Sequence, residues 1–72
     1  MERLSDVKEG KYRILEILKT GKCKKLSNLG IFIGDIIEVI KPGPGPIIIR
    51  KGNITVGIGC GIAMDVIVEK AE

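Results

Sequence analysis

The chain has 72 residues with no shift of composition along its length, so it reads as one domain spanning residues 1–72, with no room for a second core. Hydrophobic residues make up 44%, yet Phe and Tyr occur once each and Trp is absent, so the core must be aliphatic and intrinsic disorder is excluded. A formal net charge of +3 is too small to single out a polyanionic partner, and the absence of histidine removes the usual general base and every Ser/His or Cys/His nucleophile arrangement.

The segment MERLSDVKEG has neither the basic stretch nor the apolar run of a secretory signal, and no apolar run approaches membrane-spanning length. A cytoplasmic protein without direct membrane insertion is expected. Within that segment, Leu4 and Val7 are spaced so that one short turn can lay both side chains against the domain. From Tyr12 to Leu18 two patterns compete. Ile14, Ile17 and Leu18 suit a helix, whereas Tyr12 with Ile14 suits a strand whose facing then shifts.

Thr20 can cap a short helix in which Cys23 and Leu26 share a face and Leu29 extends the apolar stripe. Gly30 stands where a left-handed residue would end that helix, and Ile31 where the accompanying apolar contact is made. Gly34 and Asp35 form a turn. Ile36, Ile37, Val39 and Ile40, interrupted only by Glu38, then predict a strand with much of its surface covered.

Pro42-Gly43-Pro44-Gly45-Pro46 must be a connecting loop. Ile47 to Ile49 predict a strand, Gly52-Asn53 a two-residue hairpin turn, and Ile54, Val56 and Ile58 the returning strand. Gly57 and Gly59 fall on the opposite face to Ile54 and Val56, where they permit sharp coiling or close approach of another backbone. Ala63 and Met64 can form one helical turn before a last strand at Val66 to Val68. So few residues cannot bury their apolar faces in a flat sheet, so the expected fold is mainly β. It is a small SH3-like barrel of about five short strands, with one short helix inserted after the first strand.

Chemistry-bearing constellations are sparse. Gly57-x-Gly59-x-Gly61 is followed by too little chain for the long helix and returning parallel strand of a dinucleotide site. Asp35, Glu38, Asp65 and Glu69 have no recognised cation-loop spacing and read as solvated turn and strand-edge residues. Cys23 and Cys60 are too far apart to match a zinc or oxidoreductase spacing and read as reduced thiols with a core role. No catalytic, cofactor or metal residue is assigned.

The order Leu4-Ser5-Asp6-Val7, Gly10, Ile14 and Ile17, then Lys25-Leu26-Ser27-Asn28-Leu29-Gly30-Ile31, Gly34, Asp35, Ile37 and Val39, resembles the ferrous iron transport protein A (FeoA) family. Leu26-x-x-Leu29-Gly30-Ile31 is its most specific part. Pro46 with Ile47 and Ile49, Ile54 to Ile58, and Ala63 with Ile67-Val68-Glu69 continue the resemblance over almost the whole chain. Where the family pattern resembles Ala-Leu-Arg before a small helix, this chain has Gly57-Ile58-Gly59-Cys60-Gly61-Ile62.

The resemblance implies an SH3-like barrel without catalytic residues or cofactor. It implies a protein that binds and modulates FeoB, the membrane GTPase of bacterial ferrous iron uptake; transition-metal association enters at the family level only. We place the candidate contact surface within Lys22 to Gly34, at Lys22, Lys25, Leu29, Gly30, Ile31 and Phe32. Phe32 fits two roles, an interface anchor or a core residue. The alternative function is a nucleic-acid-binding barrel, favoured by the Lys19, Lys22, Lys24 and Lys25 cluster and weakened by the shortage of stacking aromatics.

Overall fold

The structure is a computed structural model that describes residues 1–18 and 24–71, with the backbone alone for Lys24 and Lys25. Strands β1 (Glu2–Arg3), β2 (Gly10–Ile17), β3 (Ile36–Lys41), β4 (Ile47–Lys51), β5 (Ile54–Ile58) and β6 (Val66–Lys70) form one antiparallel sheet. The order across it is β1-β6-β2-β3-β4-β5. Strands β2 to β6 of this single sheet all send side chains into one buried cluster, so the sheet is curled around its core. The sixth strand, beyond the five expected, is the two-residue β1, which pairs with β6 at the N-terminus. The helical insertion α1 (Lys24–Asn28) accordingly follows β2, the first long strand.

The competing patterns of residues 12–18 resolve into one strand with a bulge. Ile14 faces Val68 of β6 and Glu16 faces Ile67, leaving Leu15 as the extra residue. A bulge shifts the facing by one residue, so Ile14 and Ile17, at helical spacing, both turn toward the core. Leu4, the first residue of a 3-10 turn at Leu4–Asp6, and Val7, which follows it, are both buried, as their spacing predicts.

Strand β3 departs from expectation. Ile37 and Val39 are buried, but Ile36 and Ile40 are exposed, because only one face of the curled sheet meets the core. Ile47 and Ile49 of β4, Ile58 of β5, and Val66 and Val68 of β6 complete the inner face. The hairpin closes at Gly52-Asn53 between the paired Lys51 and Ile54. Gly52 alone takes positive φ there (59°), the pattern of a II′ turn.

Helix α2 (Cys60–Ala63) turns Ala63 into the core, packs on the 3-10 turn at Leu4–Asp6 and leaves Cys60 exposed. The core role expected of Cys60 is therefore corrected. At the first position of so short a helix its side chain points away from the barrel, and Sγ donates to Gly45 O at 3.2 Å. Thr20, Cys23 and the cap expected of them lie outside the described residues.

Candidate partner-binding surface

The end of α1 is built as a Schellman cap. Gly30 N–H donates to Ser27 O at 3.0 Å and Ile31 N–H to Leu26 O at 2.9 Å, with Gly30 at φ 81°. Leu26 and Ile31 are both buried in the same core cluster, and Leu29 packs partly against it. This seals the helix onto the barrel and fixes where the chain leaves it.

The next four residues form a tight turn. Asp35 N–H donates to Phe32 O, and Phe32 N–H donates back to Asp35 Oδ2 at 2.8 Å. Two backbone bonds hang the turn on β2: Gly34 N–H to Ile14 O at 2.8 Å and Ile14 N–H to Asp35 O at 2.9 Å. Lys51, at the tip of the hairpin, reaches under it. Its ammonium donates to Gly30 O at 2.5 Å and to Asp35 Oδ2 at 2.6 Å, and lies 5.7 Å from the centre of the Phe32 ring. The Asp35 carboxyl titrates below its ordinary range, first because Lys51 hydrogen-bonds it and then because Phe32 N–H does; partial burial opposes both.

One cation thus joins the helix cap, the turn and the hairpin, and what it holds up is apolar. Phe32 is 53% exposed and Ile33 60%. Ile36, next in the chain, and Ile54, opposite Lys51 in the hairpin register, are exposed as well. Of the residues proposed from sequence, Leu29, Gly30 and Phe32 are brought together here. Ile31 is corrected: at 2% exposure it belongs to the core, because a Schellman cap turns that residue inward. Lys22 and the Lys25 side chain lie outside the described residues. The core reading of Phe32 is excluded by its exposure.

Sequence reasoning missed Lys51 and reduced Asp35 to a turn residue. An Asp three positions after Phe32 signals a side chain that can take up a turn N–H. Nothing local signals Lys51, which hairpin closure brings to Asp35 across 16 positions. Among the described residues no three His, Cys, Asp or Glu side chains gather as a metal site, and no helix is long and apolar enough to cross a membrane.

A profile for the FeoA domain matches residues 2–70. The chain belongs to the FeoA family. It is 36% identical over 74 aligned residues to a Methanocaldococcus jannaschii protein named as a candidate Fe(2+) transport protein A, an alignment covering 100% of this chain and 90% of that one. A crystal structure of an iron uptake regulatory protein (FeoA) superposes with a TM-score of 0.83 at 36% identity, covering 93% of each chain. The SH3-like barrel expected from strand count is the fold of this neighbour.

Proposed function

We propose that this chain is a small cytoplasmic accessory protein of ferrous iron uptake that acts by binding the cytosolic domain of a FeoB-like membrane GTPase, not by catalysis. Family membership and the names of its relatives, which refer to Fe(2+) transport and iron uptake regulation, support the process. The observation that carries the binding mode is Phe32. The only exposed aromatic among the described residues stands on a turn fixed at both ends by the Lys51 clamp. An anchor held in place before binding loses little conformational freedom on docking, the property that makes aromatic residues dominate interface energetics.

The contact surface consists of Phe32 and Leu29 with the Gly30 cap; Lys22 and Lys25 are added to it from the sequence alone. Nucleic acid fits poorly, since Tyr12 is buried and a base-stacking platform needs more than one exposed aromatic. Titrating the labelled protein with a FeoB-like cytosolic GTP-binding domain, with and without GTP analogue, tests the reading. Amide shifts centred on residues 26–36 are expected, and Phe32→Ala should weaken the binding they report while keeping a folded spectrum. An unchanged wild-type spectrum at near-millimolar partner overturns the proposal.

A further inference from the structure

The two ends of the sheet are finished differently. At one end, β6 is covered by β1, which is two residues long and carries the charged Glu2 and Arg3, both exposed. Short, charged edges are how sheets avoid pairing with other chains. At the other end, β5 runs for five residues as Ile54-Thr55-Val56-Gly57-Ile58, and no charged residue occurs anywhere from Gly52 to Met64. Proline is absent from this stretch too.

The register settles which backbone groups this edge offers. The two-residue turn makes Lys51 and Ile54 a hydrogen-bonded pair, so Ile49 with Val56 and Ile47 with Ile58 are the next ones. Thr55 and Gly57 alternate with them, and their N–H and C=O groups point away from β4. Both residues are exposed, and among the described residues no backbone group meets them from the open side. Each N–H and C=O of an open edge is a site for another strand.

From this geometry we infer that β5 is a self-association edge, whose occupant is β5 of a second copy of this chain, antiparallel about a twofold axis at Val56. Thr55 then faces Gly57 of the second copy, and Gly57 faces its Thr55, giving four backbone hydrogen bonds. The two Val56 side chains meet in the close, non-hydrogen-bonded position, where β-branched pairs pack well. Gly57 leaves the outer face open for the opposing threonine; a Cβ at this position would already lie 3.4 Å from Ile48 Cδ1.

A second copy suits this edge better than a charged extended segment. Thirteen uncharged residues give an ionic partner no handle, whereas across a twofold axis they bring no like charges together. One strand pair buries little area, so the dimer is weak, with dissociation in the micromolar-to-millimolar range. The proposal is independent of the Phe32 surface.

A dilution series of the full chain, followed by sedimentation and amide NMR, tests it. Mass should rise toward that of a dimer with concentration, with shifts confined to residues 54–59 and slowed exchange at the Thr55 and Gly57 amides. Thr55→Lys, an exposed change that places two ammonium groups near the axis, should raise the dissociation constant by about tenfold or more. Gly57→Pro, which removes an outward-pointing donor without touching the β4 ladder, should do the same with the circular dichroism spectrum retained. A monomer at millimolar concentration, a dimer indifferent to both variants, or shifts centred elsewhere would overturn the assignment.

Discussion

Lys51 Nζ lies 2.6 Å from Asp35 Oδ2, and this contact ties the β4–β5 hairpin to the turn that displays Phe32. The pair is partly exposed, at 35% and 24% of the side-chain areas, so its electrostatic gain is modest. Its consequence is positional, since the same ammonium also satisfies Gly30 O at the helix cap.

Replacing Lys51 with Met keeps the stem of the side chain and removes the cation. Stability should fall by about 1 kcal/mol, the scale of a partly screened charge-assisted contact. Urea unfolding measures that loss, and faster hydrogen exchange at the Phe32 amide should accompany it, reporting a loosened turn.

The depressed Asp35 carboxyl makes part of the stability depend on pH. A carboxyl whose folded value lies below its unfolded one binds fewer protons in the native state, so its contribution is full above the ordinary value of 3.8 and fades as pH falls through the folded-state value. The urea midpoint should therefore drop in acid, and Asp35→Asn should flatten that part of the profile. An identical profile in the variant would remove Asp35 as its source.

Gly30 has open space around its missing Cβ, so any cost of substitution comes from backbone conformation alone. At φ 81°, Gly30→Ala should lose about 1 kcal/mol, and Gly30→Asn less, because asparagine tolerates the left-handed region. Thermal unfolding of the two variants side by side gives the comparison.

Adjacent Ile31 and Phe32 should behave in opposite ways. Ile31→Ala empties a buried site and should cost about 2–5 kcal/mol, a severe loss for so small a domain. Phe32→Ala should leave the unfolding midpoint nearly unchanged while weakening partner binding by tenfold or more, about 1.4 kcal/mol or above. Denaturation and titration of both variants separate the core residue from the anchor.

Much of this architecture is legible in local sequence because the signals are steric. Gly30 followed by Ile31 marks the Schellman cap, since only a residue free of Cβ strain reverses the chain there at no cost. Gly52-Asn53 marks the hairpin, and the Leu4 and Val7 spacing marks the N-terminal turn. The same cap turns Ile31 inward, which places it in the core and not on the contact surface.

Tertiary structure alone decided the rest. The bulge at Leu15 lies in the pairing of β2 with β6, where it turns a helix-like spacing into a strand whose facing shifts. Ile36 is exposed and Ile37 buried because the curled sheet has one inner face, and Phe32 is exposed because it stands on the turn ahead of β3; hydrophobicity by itself reveals neither. Lys51 finds Asp35, and β5 is left at an open edge, only through strand order and register. The sequence by itself determined the turns, caps and strand-forming segments, because each depends on the φ/ψ freedom and pattern of a few neighbouring residues. The fold decided which face, which edge and which distant cation each segment meets, because those depend on chain closure over tens of residues.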